Sequence, residues 1–230
     1  MGALLHAYFL HTRAYRETSL LVEVFSAEAG RVSGSWRGGR RNRGGIPQLF
    51  QPLMLEASGA GELKSIQRVE AAGPALPLAG TALFSGFYLN ELLIRLLPRE
   101  EPQPALFVTY AGTLGHLAQR EPPEPLLRRF EAELLDVLGY GIDYGHDPVR
   151  GEAVRSGLDY DYHPERGFTV AAAHAGTYSG DALLSLARGD FAEPAAAAAA
   201  KRLHRLALAR LLGPRPLKSR ELFLSAQDLK

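Results

Sequence analysis

The chain of 230 residues contains no cysteine. This absence excludes disulfide bonds, thiolate nucleophiles and zinc sites built from thiolates. The sequence also has no apolar run long enough to span a membrane. Its first ten residues lack the basic leader and the small-residue cleavage site of a signal peptide. These absences predict a soluble cytoplasmic protein that has no membrane partner.

The motifs of common nucleotide-binding and hydrolytic enzymes are absent as well. The chain has no Gly-x-x-x-x-Gly-Lys-Ser/Thr loop, no dinucleotide-binding glycine fingerprint and no Gly-x-Ser-x-Gly elbow. Acids and histidines do gather in one region, namely Asp143, His146, Asp147, Asp159, Asp161 and His163. Their spacing matches no helical pair of metal ligands, and loops collect aspartate for turns. We expect no catalytic residue and no cofactor, with a metal hydrolase built on Asp143, His146 and His163 as an alternative.

Residues 1–78 show the pattern of short strands separated by turns. Alternating apolar positions and turn residues predict strands near 7–11, 20–25, 31–36, 53–57 and 63–69. Five strands are too few for two packed sheets, whereas a small closed barrel leaves no unpaired edge. The sequence therefore predicts an N-terminal five-stranded OB-fold barrel.

Residues 79–230 predict an all-helical domain that follows a boundary at Gly73, Pro74 and Pro77. Apolar periodicity predicts helices over about 83–97, 103–119, 126–138, 179–188 and 195–212, with a last short helix after Pro216. Residues 140–178 are rich in Gly, Tyr, Asp and His, and we expect an irregular insert there. The predicted fold class is α+β, with domains over 1–78 and 79–230.

The net charge of the chain is only +1, so any affinity for a polyanion must come from segregated charge. Residues 31–45 carry arginines and no acid, namely Arg31, Arg37, Arg40, Arg41 and Arg43. Arginine forks bind phosphate oxygens, and the neighbouring glycines let a ligand approach the backbone. With Trp36 as a stacking aromatic and Arg13 and Arg16 in another turn, the pattern predicts a surface for a single-stranded nucleic acid. A solvated charged loop, and a tryptophan that fills the barrel, are the alternatives.

A second basic pattern lies in the helical region. Arg128 and Arg129 precede Phe130 on an apolar helix, and Lys218 and Arg220 precede a terminal Leu-Phe pair. Basic residues around an apolar groove suit a peptide that ends in acids and an aromatic residue. The alternative is that these charges only extend from helix ends into solvent.

Short segments in a fixed order extend over nearly the whole chain. They include Tyr-Arg-Glu-Thr-Ser-Leu-Leu at 15–21, Arg-Gly-Gly-Arg-Arg at 37–41 and Pro-Leu-Lys-Ser-Arg-Glu-Leu at 216–222. The others lie at 30–32, 49–52, 86–92, 126–131 and 138–141. In this order and spacing, the segments together resemble the RecO family of bacterial recombination mediators and strand-annealing proteins.

The resemblance implies an N-terminal OB domain, a helical C-terminal domain, binding to single- and double-stranded DNA, and annealing of complementary strands. It also implies work with the RecR protein to load recombinase on coated single strands, in the cytoplasm at the nucleoid. Arg37, Arg40 and Arg41 match the basic loop of the family and inherit a DNA-binding role.

The family docks on the acidic, phenylalanine-ended tail of single-strand DNA-binding protein through its helical domain. This makes Arg128 and Arg129 expected tail contacts, with Lys218 and Arg220 as further ones. Some members carry a four-cysteine zinc module in the region that matches 143–175, and the lack of cysteine predicts that this chain has no such zinc. Two alternatives stay open: an adaptor that links the coating protein to RecR with little direct DNA role, and an OB protein for structured RNA.

Overall fold

The computed structural model of the chain describes residues 2–41, 45, 47–148, 150–172 and 176–227. The chain forms two compact units, and the first combines Met1–Glu121 with Pro216–Lys230. The second unit is Pro122–Arg215. The predicted division at 78/79 thus falls inside the first unit, because helices from both ends of the predicted helical domain pack there with the strands.

The first unit begins with five strands: β1 (Ala3–Tyr15), β2 (Ser19–Ser26), β3 (Gly30–Trp36), β4 (Leu53–Ser58) and β5 (Leu63–Ala71). They close into a barrel in the order β1-β2-β3-β5-β4. Strands β3 and β5 run parallel, and each other neighbouring pair is antiparallel. The predicted five-stranded OB barrel is confirmed.

Alternate residues of these strands fill the barrel. Leu20, Val22 and Val24 of β2 point inward together with Phe9 of β1 and Trp36 of β3. The pairing of Leu20 with Trp36 and of Val24 with Val32 sets this register. Because side chains alternate across a strand, the residues between them face outward, away from the barrel core.

The helices of the described residues are α1 (Thr81–Leu96), α2 (Pro104–Ala118), α3 (Pro123–Val137), α4 (Gly180–Ala187), α5 (Pro194–Leu212) and α6 (Lys218–Gln227). They lie close to the predicted positions, which confirms the helical part of the fold class. In the described part of the chain, no helix is long and apolar enough to cross a membrane.

Helices α1 and α2 pack against the outside of the barrel within the first unit. Tyr8 and Phe25 face outward from the barrel and form edge-to-face contacts with Tyr110 of α2, at ring distances of 5.3 and 5.8 Å. The Asn90 amide donates to the Leu10 carbonyl oxygen at 3.0 Å and accepts from the Tyr110 hydroxyl at 2.7 Å. One part of the barrel exterior is therefore covered by helices.

The second unit contains short strands in the region that the sequence predicted to be irregular. They are β6 (His146–Asp147), β7 (Glu152–Ala153), β8 (Asp159–His163), β9 (Gly167–Val170) and β10 (Tyr178–Ser179). Strands β8, β9 and β10 form a three-stranded sheet, and β6 pairs with β7. The expectation of an irregular insert, and of a domain made of helices alone, is corrected to this extent.

Apolar packing holds this sheet in place. Tyr160, Phe168 and Tyr178 are buried in one cluster with Leu183 of α4 and Leu203 of α5. The alternating aromatic residues of the insert supply this cluster, which is why the segment folds as strands. A thiolate zinc module does not fit here, since residues 143–175 contain no cysteine.

Candidate nucleic-acid interface

The chain that follows β3 carries Arg37, Arg40 and Arg41, and we call its residues 37–41 the arginine loop. This loop turns back across the end of the barrel at which Trp36 lies. Residues Gly39–Arg41 form a single 3-10 turn. Gly38 has φ of +72°, a backbone conformation that side chains with a Cβ rarely adopt. A Cβ on Gly39 would lie 2.8 Å from the Trp36 ring, so the absence of a side chain lets the loop pack against the barrel end. Glycine is therefore required at position 38 by the backbone conformation and at position 39 by the close contact with Trp36.

Arg40 joins this loop to the β1–β2 turn. Its backbone amide donates to the Thr18 carbonyl oxygen at 3.1 Å. Its Nη1 donates to the carbonyl oxygens of Arg16 and Glu17 at 3.2 and 3.1 Å. Two turns that are about twenty residues apart in the sequence therefore meet at one end of the barrel, as the sequence suggested for the arginines that they carry.

Arg13, Arg37 and Arg41 are exposed at this end of the barrel. Arg13 pairs with Leu21, which in turn pairs with Ser35, so Arg13 belongs to the outward row of the β1–β2–β3 surface. Within the described residues, none of these three arginines forms a salt bridge with an acid. Their positive charge is therefore available to a ligand.

An aromatic residue and a further arginine accompany these charges. The Arg16 guanidinium carbon lies 5.1 Å from the centre of the half-buried Tyr15 ring, an arrangement that favours a cation–π contact. Sequence reasoning did not single out Tyr15 as a site residue. Its position at the end of a predicted strand, directly before Arg16, was the signal available.

Two residues of the predicted DNA site, Trp36 and Arg31, do not present a free side chain at this surface. Trp36 is 5% exposed and lies in the barrel core, so its ring offers no open face to a base. Arg31 is held by Glu23 at 3.1 Å, and its Nε donates to the Leu97 carbonyl oxygen at 2.9 Å. Arg43 lies outside the described residues. Trp36 and Arg31 thus stabilise the fold, whereas the exposed arginines Arg13, Arg37 and Arg41 face solvent.

The predicted partner-tail residues fall in both compact units. On α3, Phe130 is fully buried and Arg128 is 8% exposed, whereas Arg129 is exposed. Lys218 and Arg220 are exposed on α6, which belongs to the first unit. Phe130 therefore packs in the protein interior instead of facing a partner.

Arg128 belongs to a buried polar chain inside the second unit. Its Nη2 lies 2.9 Å from Glu131 Oε1, and Glu131 Oε2 lies 3.0 Å from His204 Nδ1. The other ring nitrogen of His204 shares a 2.6 Å hydrogen bond with the Tyr144 hydroxyl. Burial raises the pKa of Tyr144, and the negative charges of Asp136 and Glu131 raise it further. This series of polar contacts joins Tyr144 of the insert to α3 and α5. Arg128 therefore stabilises the second unit through Glu131.

The alternative metal site is only partly assembled. Asp143 Oδ2 and His146 Nδ1 are 3.0 Å apart. Across the described part of the chain, no three His, Asp or Glu side chains come together in a group that would hold a metal ion. Among the described residues, His163 therefore does not join the Asp143–His146 pair in such a group.

Comparison with known proteins agrees with these observations. The sequence model described as recombination protein O N terminal matches residues 1–75, and that described as recombination protein O C terminal matches residues 78–221. The chain is 50% identical over 225 residues to DNA repair protein RecO of Pseudomonas paraeruginosa, and this alignment covers 96% of this chain and 94% of that protein. It is 47% identical over 226 residues to DNA repair protein RecO of Stutzerimonas stutzeri, with 96% and 94% covered. It is 46% identical over 220 residues to DNA repair protein RecO of Actinobacillus succinogenes, with 94% and 93% covered. The chain belongs to the RecO family of DNA repair proteins.

Proposed function

We propose that this chain binds single- and double-stranded DNA, anneals complementary strands and helps to load recombinase on coated single-stranded DNA. Its family gives the chain a role in DNA repair and recombination. The observation that carries the proposal is the joining of two arginine-bearing turns at one end of an OB barrel. Arg13, Arg37 and Arg41 are exposed there without an acidic partner among the described residues.

Phosphate neutralisation explains how such a surface works. Each arginine that contacts a phosphate releases condensed counterions, which gives affinity that falls as salt rises. Arg16 and Tyr15 add a stacked guanidinium and aromatic ring beside the charges, an arrangement that suits the bases of a single strand. The proposed DNA-contacting residues are Arg13, Arg16, Arg37, Arg41 and Tyr15.

Annealing follows from the same electrostatics. Two strands that approach each other repel through their phosphates, and a basic surface that binds both reduces this repulsion. Base pairing then supplies the sequence specificity. No covalent bond changes in this mechanism, so it requires no catalytic residue and no cofactor.

We also propose that the chain docks on the acidic tail of single-strand DNA-binding protein and works with RecR at the nucleoid. Arg129 is the exposed cation of α3 that suits such a tail, and Lys218 and Arg220 are proposed as further contacts on α6. Docking on the coating protein raises the local concentration of the annealing surface where strands are exchanged.

The test is fluorescence anisotropy of a labelled single strand over a salt series. The double variant Arg37→Glu/Arg41→Glu should bind more weakly, and its salt slope should fall by about 1.4, because each lost contact lowers the slope by about 0.7 on single strands. The matched control is Arg68→Glu/Arg155→Glu, which changes the charge equally at two side chains that are each 65% exposed. We expect the control to bind within about twofold of the original protein.

Two outcomes are informative. If both double variants weaken binding equally, general charge and not this surface governs the affinity. If neither variant changes affinity, slope or annealing rate, the DNA-binding proposal fails, and the adaptor between the coating protein and RecR becomes the leading alternative. Parallel titrations with a duplex and with RNA of the same sequence distinguish DNA binding from an RNA preference.

A further inference from the structure

We propose that Arg40 is a positioning residue, whose side chain clips the arginine loop to the β1–β2 turn, and that Arg37 and Arg41 contact the phosphates. The inference deepens the proposed DNA-binding function and rests on it for the effect on affinity. Its effect on loop structure is independent of any ligand. By sequence alone, Arg40 is indistinguishable from its neighbour Arg41.

The hydrogen bonds of Arg40 carry the assignment. One guanidinium nitrogen, Nη1, lies within hydrogen-bond distance of two carbonyl oxygens, those of Arg16 and Glu17. This nitrogen has two hydrogens, so it is able to donate one to each carbonyl. The Arg40 amide bonds the next carbonyl of the same turn, at Thr18. Three consecutive carbonyl oxygens are thus satisfied by one residue of the loop.

Within the described part of the loop, residues 37–41, local contacts restrain the chain weakly. Gly38 and Gly39 have no side chains and reach many backbone conformations in the unfolded loop. Gly38 holds a positive φ, and among these five residues one backbone hydrogen bond, of 2.9 Å from the Arg41 amide to the Gly38 carbonyl oxygen, closes the 3-10 turn from within. Together with the packing of Gly39 on the Trp36 ring, the bonds from Arg40 to the facing turn therefore set where Arg37 and Arg41 stand relative to Arg13 and Arg16.

The chemistry of the clip favours a guanidinium. The planar group fixes the directions of the two Nη1 hydrogens, which suits two adjacent carbonyl oxygens. A lysine ammonium keeps the positive charge but is more strongly hydrated, and its hydrogens rotate freely at the tip of a flexible chain. Replacement of Arg40 by lysine therefore weakens the clip while leaving the charge of the loop unchanged.

The experiment compares Arg40→Lys with Arg41→Lys in the full chain, after circular dichroism and thermal unfolding show that both variants fold like the original. Hydrogen exchange reports the loop, and anisotropy with a labelled single-stranded oligonucleotide reports binding. In Arg40→Lys we expect faster exchange of the amides of residues 40 and 41 and about tenfold weaker binding, because affinity falls with the population of the competent loop. In Arg41→Lys we expect unchanged exchange of these amides and weaker binding without any loosening of the loop, because Arg41 is itself a proposed phosphate contact.

The two readouts separate this inference from the proposed function. Faster loop exchange in Arg40→Lys but not in Arg41→Lys supports the clip, even in a protein that does not bind the oligonucleotide. If Arg40→Lys leaves exchange unchanged, Arg40 is not a clip, and any loss of affinity then marks it as a direct DNA contact. If exchange rises while affinity stays the same, the loop geometry is irrelevant to binding, and the positioning role is refuted.

Discussion

Replacement of Glu91 by alanine should release helix α6 from α1. The Glu91 carboxylate accepts hydrogen bonds from the backbone amides of Lys218 and Ser219 at 2.9 and 2.8 Å. It also accepts from the Ser219 hydroxyl at 2.7 Å. These amides are the first of α6, so Glu91 caps the N-terminus of that helix although it is distant in the sequence.

The magnitude follows from the number and type of these bonds. Loss of a side-chain cap costs about 0.5–2 kcal/mol, and a hydrogen bond to a charged group contributes about 1.5–3 kcal/mol. Glu91 is partly exposed, and water replaces part of what is lost. We expect Glu91→Ala to lower the free energy of opening α6 by about 2 kcal/mol. Native-state hydrogen exchange of residues 218–223 measures this quantity directly.

A control and a pH series sharpen the test. Glu62→Ala removes a carboxylate that is 91% exposed, and it should change the opening free energy by less than about 0.5 kcal/mol. Burial alone would raise the pKa of Glu91, but the bonds from Ser219 and Lys218 and the charge of Arg95 outweigh it and lower the pKa below its ordinary value of 4.5. The stabilisation is therefore complete above about pH 5 and is lost as the pH falls through the lower folded pKa. A difference between Glu91→Ala and the original protein that stays constant from about pH 6 to pH 3 would refute the reasoning.

Three further predictions concern packing. Tyr110→Phe removes the hydroxyl that donates to the buried Asn90 and should lower stability by about 1–2 kcal/mol in urea unfolding, and an unchanged midpoint would contradict the role of this bond. Gly39→Ala places a Cβ against the Trp36 ring and should weaken single-strand binding in anisotropy while shifting tryptophan fluorescence, and unchanged emission would mean that the loop moves away freely. Phe168→Ala empties the aromatic cluster of the insert and should cost about 3–5 kcal/mol in the unfolding of the second unit, and a loss below about 1 kcal/mol would show that the sheet is held by other contacts.

The architecture was predictable where the signal is local. The alternation of Leu20, Val22 and Val24, and the turns after each strand, sufficed for a five-stranded barrel. The positions of the helices followed from apolar periodicity. The small sheet of the insert was missed because β8, β9 and β10 are only two to five residues long and are separated by segments that contain Pro164 and Gly176.

The roles of individual charges were less predictable because they depend on residues distant in the chain. Arg31 differs from Arg37 because β3 places it beside Glu23 and the Leu97 carbonyl oxygen. Arg128 differs from Arg129 because it lies on the buried face of α3, where Glu131, one turn further along the helix, pairs with its guanidinium. A sequence shows how many arginines a segment carries, but only the tertiary structure decides which of them are neutralised.

The compact units of the structure do not coincide with the two segments that the family models match. The two family models meet between residues 75 and 78, whereas the compact unit that carries the barrel continues through α1 and α2 and includes α6. Tyr8, Phe25 and the Leu10 carbonyl oxygen all have their partners on α1 or α2. The division into domains 1–78 and 79–230 stays a prediction, and a barrel separated from these helices would expose the three groups to water. The proposed DNA surface therefore depends on helices that lie beyond the barrel in the sequence, since they hold the barrel while leaving its arginine-bearing end open.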